Sequence, residues 1–231
     1  SLTQFGATAC STDLMGSKNS KNRIVLTLDE ARERVTPQEF GEITRAFQEA
    51  TNRNDLEGKL KRSQLEKISL LYDVGVLSRK DTPVMIDRVF KLFDIDGKGA
   101  ITYEEFVPPI AVVINGTMSE RLKLTFNLYD SSGNGFVTRD DIYKLFLAIY
   151  KDRISANDDS QGKESKKKLL GRTRDRSKVE DEVRLQAHRY STRTFKKYSS
   201  DMERMGYFEF EKYLTSDNHA RSDLKSWLEE E

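Results

Sequence analysis

The stretch that decides the fold is Asp94-Ile-Asp-Gly-Lys-Gly-Ala-Ile-Thr-Tyr-Glu-Glu105. A calcium ion takes six to eight oxygens, and a twelve-residue loop supplies them from positions 1, 3, 5, 7, 9 and 12, with glycine at position 6 for the sharp turn. Here Asp94 stands at 1, Asp96 at 3, Gly99 at 6, Ala100 at 7 through its backbone carbonyl, Thr102 at 9 and Glu105 at 12. Only position 5 departs, where Lys98 puts a cation in the place of an oxygen donor. Affinity is expected to fall unless that side chain swings out and water fills the gap. Phe90, Phe93 and Phe106 flank the loop with apolar faces, and Ile101 at position 8 offers a short β-contact to a paired loop.

A second segment, Asp130-Ser-Ser-Gly-Asn-Gly-Phe-Val-Thr-Arg-Asp-Asp141, repeats the pattern: Asp130 at 1, Ser132 at 3, Asn134 at 5, Gly135 at 6, the Phe136 carbonyl at 7, Thr138 at 9 and Asp141 at 12. Every position can present oxygen. Aspartate is one methylene shorter than glutamate, so Asp141 is expected to offer one oxygen, weakening Ca²⁺ and admitting Mg²⁺, which accepts monodentate octahedral coordination. Two further segments fit the spacing without the ligands. Arg53 to Gln64 carries Arg53 at 1, Lys61 at 9 and Gln64 at 12, with Leu60 at 8. The segment near Asp201 reads with Gly206 at 6, Phe208 at 8 and Lys212 at 12. Both are expected to be metal-free and structural, the first loop bracing the second and the fourth bracing the third.

Outward from these loops the pattern is helical, with apolar residues three and four apart. Phe40, Ile43 and Phe47 mark one helix; Leu65, Ile68, Leu71 and Tyr72 a second; Val89, Phe90 and Phe93 a third. A fourth starts near Tyr103 and is expected to kink or stop at Pro108 and Pro109, since proline inside a helix removes a donor and clashes with the preceding turn. A fifth spans Ser119 to Tyr129, and a sixth carries Ile142, Leu145, Phe146 and Ile149. Val183 to Tyr198 and Phe208 to Leu214 suggest two more. Phe40, Phe47, Phe90, Phe126 and Phe146 are expected in the core. The fold class is therefore all-α: four helix-loop-helix units in two paired lobes, with short β-contacts between paired loops. The expected organisation is a flexible segment 1–30, an N-terminal lobe 31–116, a C-terminal lobe 117–216 interrupted by a basic, exposed insertion 151–178, and a tail 217–231 anchored by Trp227.

Composition narrows the function. Of 231 residues 33% are charged, yet the formal net charge is only +1, so no global field draws the chain to nucleic acid, and none is expected as a partner. The single cysteine, Cys10, cannot close an internal disulfide, and no apolar run approaches the roughly 18 residues of a membrane span. A cytoplasmic location is expected. His188 and His219 lie in no recognisable catalytic motif, so no enzymatic activity is expected. Lys166, Lys167, Lys168, Arg172, Arg174 and Arg176 make the insertion basic, and Thr173 and Ser177 within it are candidates for phosphorylation.

Residues 88–150 resemble the EF-hand superfamily in the arrangement of neuronal calcium sensors, calcineurin B and plant calcineurin B-like proteins. The runs Arg88-Val-Phe-Lys-Leu-Phe-Asp94 and Leu124-Thr-Phe-Asn-Leu-Tyr-Asp130 are similar to the helices entering the second and third hands of those proteins. The resemblance implies a calcium sensor that exposes a hydrophobic groove to an amphipathic helix of a kinase, phosphatase, channel or cytoskeletal target. The alternative is a constitutive, light-chain-like regulatory subunit that holds its target with or without calcium. Met15-Gly-Ser-Lys-Asn-Ser20 also fits the N-myristoylation pattern, with Gly16 as acceptor if translation starts at Met15 and residues 1–14 are an added leader. Peripheral membrane contact would then need Lys18, Lys21 and Arg23 as a second signal.

Overall fold

The computed structural model describes residues 26–77, 83–147, 176–217 and 220. Gly16, Cys10, Ile149, His219, Thr173, Trp227 and most of the basic insertion lie outside them. The described chain is mostly helical. It contains α1 (Leu28–Arg34), α2 (Pro37–Thr51), α3 (Arg62–Leu65), α4 (Ser69–Asp73), α5 (Pro83–Phe93), α6 (Tyr103–Asn115) and α7 (Met118–Tyr129). Residues 139–147 form α8, followed by α9 (Arg176–Tyr198) and α10 (Tyr207–Ser216). The only strands among the described residues are β1 (Val137–Thr138) and β2 (Arg204–Met205).

Helix starts are written locally. Thr27 with Glu30, Thr36 with Glu39 and Thr117 with Glu120 each close a capping box, the threonine hydroxyl accepting from the third backbone N–H while the glutamate returns to the threonine N–H. The first of these boxes starts α1 at Leu28, inside the segment expected to be flexible up to residue 30. Burial of Ala31 and Val35 then seats α1 on α6. Arg34 adds a two-pronged ion pair to Glu120 at 2.7 and 3.2 Å.

Three sequence expectations need correction. The helix expected around Leu65 to Tyr72 is broken into α3 and α4, because the chain turns at Glu66 to Ile68 so that Leu65, Ile68 and Leu71 all reach the core. Pro108 and Pro109 do not stop α6, which continues to Asn115 with both prolines buried. The donors they lack are lost against burial of Phe106, Val107, Ile110, Ala111, Val112 and Val113 on one rod, a larger gain at about 1.5–3 kcal/mol per large apolar side chain. The basic insertion ends earlier than residue 178, since α9 begins at Arg176.

The loops meet in pairs. Leu60 and Ile101 exchange backbone hydrogen bonds at 2.8 and 2.9 Å, joining the first loop to the second. Val137 pairs with Met205 and Thr138 with Arg204, joining the third to the fourth. Behind each pair lies an aromatic cluster: Phe47, Phe93, Tyr103 and Phe106 on one side, and Phe126, Tyr129, Phe210 and Tyr213 on the other. Of the phenylalanines expected inside, Phe47, Phe90 and Phe126 are buried, whereas Phe40 and Phe146 pack partly buried against the core.

Candidate metal centre

One hydrogen bond recurs in all four loops and fixes their register. The residue at position 12 accepts from the backbone N–H at position 9: Gln64 from Lys61 at 2.8 Å, Glu105 from Thr102 at 2.9 Å, Asp141 from Thr138 at 3.0 Å and Glu209 from Gly206 at 3.1 Å. Position 12 is thus both the last ligand position and the third residue of the exiting helix, where a carboxylate or amide caps the start. The next residue is buried each time, as Leu65, Phe106, Ile142 and Phe210.

This register moves the fourth loop. Met205, not Phe208, occupies the pairing position, so the loop runs from 198 to 209 and closes on Glu209 rather than Lys212. Phe208 is 83% exposed, unlike the buried Leu60, Ile101, Val137 and Met205. The glycine cue misplaced it: Gly206 sits at position 9, and the left-handed turn is made by Met202 at φ 62°. Positions 1, 3 and 5 are then Tyr198, Ser200 and Met202, which still gives no carboxylate cluster.

In the second loop Gly97 and Gly99 take φ of 69° and 78°, conformations an L side chain rarely adopts, and this curls the chain around its acidic residues. Oxygens of Asp94, Asp96 and Glu105 all come within 4.8 Å of one another. Asp94 Oδ2 accepts from the Gly99 N–H at 2.9 Å, while Asp94 Oδ1 is buried with no hydrogen-bond partner. Glu105 Oε1 accepts from the Ile95 and Asp96 N–H groups at 2.9 and 3.0 Å, and Oε2 from the Thr102 N–H and hydroxyl. Lys98 swings outward, 75% exposed, onto Asp96 Oδ2 at 2.7 Å. Its ammonium holds the Asp96 carboxyl below the usual carboxylate range. Ala100 lies half-buried just before the bridge at Ile101.

A buried carboxylate oxygen without a donor is costly unless something cationic completes it. The donor set of three carboxylates, the Thr102 hydroxyl and the Ala100 carbonyl is all oxygen, the chemistry a hard divalent cation prefers. The second loop therefore fits such an ion.

The third loop is organised differently. Asp130 Oδ1 accepts from the Ser132 hydroxyl at 3.1 Å and the Asn134 N–H at 3.2 Å, and Oδ2 from the Gly135 N–H at 2.7 Å. Asn134 Oδ1 accepts from the Phe136 N–H at 2.9 Å, and the half-exposed Phe136 ring lies under the Arg204 guanidinium at 4.8 Å. Asp141 Oδ2 takes the Thr138 N–H and its hydroxyl, the latter at 2.6 Å, while Oδ1 takes the Ser131 hydroxyl. Sequence reading missed two participants here, Ser131 and the buried Arg88, whose Nη2 lies 3.7 Å from Asp141 Oδ1. No spacing rule points to either. Glu209 was missed as well, although its place three residues after Gly206 and just before Phe210 offered a capping signal.

The first loop places Arg53 on Asp55 through two bonds of 2.8 and 2.7 Å, and the fourth places Arg204 on Asp201 at 2.7 Å. Each carries an internal cation where a metal loop would carry an ion.

A family-level match falls on the same segment. Residues 85–107, containing most of α5 and all of the second loop, match the EF hand family. The chain is 32% identical over 71 residues to guanylyl cyclase inhibitory protein of Lithobates pipiens, covering 31% of this chain and 34% of that protein. It is 30% identical over 79 residues to calaxin of Xenopus laevis, covering 34% of this chain and 38% of that protein. The chain thus matches only about a third of the length of these curated relatives. Its three-carboxylate cluster lies within the segment that matches the EF hand family, and the chain is a distant homologue of calaxin and of guanylyl cyclase inhibitory protein.

Proposed function

We propose that this chain is a calcium-binding sensor or adaptor of four EF-hand units in two paired lobes, with Asp94 to Glu105 as its principal metal loop. The observation that carries this reading is the buried, unpartnered Asp94 Oδ1 beside Asp96 and Glu105. A divalent cation there would neutralise three carboxylates and fix the angle between α5 and α6. Asp94 and Asp96 would bind it from the loop's entry, the Ala100 carbonyl and Thr102 from its middle, and Glu105 from the first turn of α6. To do so Glu105 must turn from the Ile95 and Asp96 N–H groups toward the ion, drawing α6 with it. Mg²⁺ competes at Asp130 to Asp141, where the shorter closing ligand suits it.

The rearrangement of α5 and α6 exposes an apolar groove to an amphipathic helix of a regulated partner, a kinase, phosphatase, channel or cytoskeletal protein. One relative is by name an inhibitor of a cyclase, which supports a regulatory role rather than an enzymatic one. We place the protein in the cytoplasm, with membrane contact where Gly16 is acylated.

A second reading has its own support. The internal cations on Asp55, Asp141 and Asp201 let three loops fold without metal, as a constitutive regulatory subunit requires. Affinity purification with Ca²⁺ and with chelator separates the two. Partners recovered only with Ca²⁺, together with calcium-dependent binding of an apolar dye, support the sensor. An identical set under both conditions supports the constitutive subunit.

A further inference from the structure

Arg88 belongs to α5, the helix entering the second loop, yet every contact the structure gives its guanidinium is to the third unit. Nη1 donates to the carbonyls of Leu128 at 3.3 Å and Tyr129 at 3.0 Å, at the C-terminal end of α7. Nη2 donates to the Asp141 carbonyl at 3.0 Å and lies 3.7 Å from Asp141 Oδ1. The residue is 5% exposed. A buried cation at a helix C-terminus is well placed against the helix dipole, and Arg supplies several donors at once in a fixed fork. Across from it, both loops open on one cleft of about 230 Å³, lined by Arg88, Asp94, Asp96, Asp130, Ser131 and Gly133 among others.

The position of that charge matters for the third loop. Asp141 is its only carboxylate at a ligand position besides Asp130, and both Asp141 oxygens are engaged, Oδ1 by Ser131 and Arg88 and Oδ2 by Thr138. Metal coordination at 2.3 to 2.6 Å requires Asp141 to leave those partners. Arg88 then faces the incoming ion as a like charge, buried where screening is weak.

We propose that Arg88 is the positioning residue that holds the Asp130 to Asp141 loop at low metal affinity and ties it to the Asp94 to Glu105 loop. It stands on α5 six residues before Asp94, the first residue of the second loop, about 9 Å along the helix axis. Movement of α5 on filling of the second loop shifts the guanidinium relative to Asp141, so filling the second loop raises the affinity of the third. This rests on the metal-binding reading above, and it assigns to a residue outside both loops the control of one by the other.

The test is calorimetric titration of the full chain with Ca²⁺ in four forms: wild type, Arg88→Gln, Glu105→Gln and the double variant. Glu105→Gln silences the second loop, leaving the third to be read alone. Neutralising Arg88 in that background is expected to tighten the remaining site about tenfold, and the wild-type dependence of the third loop on the second falls below about twofold once Arg88 is gone. Arg88→Met, which keeps the volume of the side chain, replaces Arg88→Gln if the latter does not fold. A metal-free readout accompanies it: in chelator, urea unfolding of Arg88→Gln, Asp141→Asn and their combination is expected to be non-additive, because the two changes remove the same pair. A third-loop affinity unmoved by either substitution at Arg88, or additive unfolding effects in chelator, overturns this inference alone. No calcium heat in the wild type overturns the metal-binding reading and the inference with it.

Discussion

The second and third loops share spacing, glycine positions and a bridge at position 8, yet they hold their carboxylates in opposite ways. By composition the third loop is the better one, with an oxygen at every ligand position, while the second spends position 5 on Lys98. In the folded chain the order reverses. The second loop keeps a buried carboxylate oxygen unpartnered among three acidic groups, and its lysine lies outside on the far oxygen of Asp96. In the third, Asp130 and Asp141 are each hydrogen-bonded through both oxygens, and a buried arginine already supplies positive charge. Where a cation sits therefore decides more than whether one is present. Lys98 is solvated and can be displaced at little cost, whereas Arg88 is desolvated and cannot be moved without exposing carbonyls that depend on it.

Substitutions at the two loops separate these behaviours. The largest effect is expected at the second loop, where Asp94→Ala removes the principal ligand. Its calcium affinity should fall by more than the roughly 10–100-fold cost of losing a supporting hydrogen bond, measured by calorimetry. Next comes the buried cation. Arg88→Ala leaves Asp141 and two α7 carbonyls without their partner and is expected to cost about 3–5 kcal/mol in urea unfolding. A third comparison tests the loop register. Glu209→Ala should cost about 1 kcal/mol as a lost helix cap, whereas Lys212→Ala, on the exposed face of α10, should stay within about 0.5 kcal/mol.

The smallest effect is at Lys98. Lys98→Asn breaks an exposed ion pair that contributes little to stability, and the oxygen it introduces at position 5 is expected to tighten calcium binding. The stability difference also carries a pH signature. Because Lys98 holds the Asp96 carboxyl below its usual value, the pair's contribution is present above the unfolded value near 4 and is lost as pH falls through the lower folded value. The chelated wild type and variant should therefore converge below about pH 4 in urea midpoint.

The helical class was legible because apolar residues recur three and four apart between the loops. The pairing of the first loop with the second was legible as well, since Leu60 and Ile101 both hold position 8. The fourth loop was misread because glycine was taken as the marker of position 6. There Met202 carries the positive φ instead, and Gly206 serves as the N-cap of α10. Pro108 and Pro109 were misjudged from local geometry, since nothing in a seven-residue window reports that every neighbour on α6 is buried. The inversion between the two candidate metal loops was not legible at all. Asp141 meets Arg88 across 53 residues, and Ser131 stands at a position that the ligand pattern leaves unassigned.

Calcium titration of Asp94→Ala beside Asp130→Ala decides whether the second loop, despite Lys98, is the principal metal loop. The prediction is that Asp94→Ala loses the tightest calcium-binding event while Asp130→Ala retains it at near wild-type affinity. Retention in Asp94→Ala with loss in Asp130→Ala would contradict it.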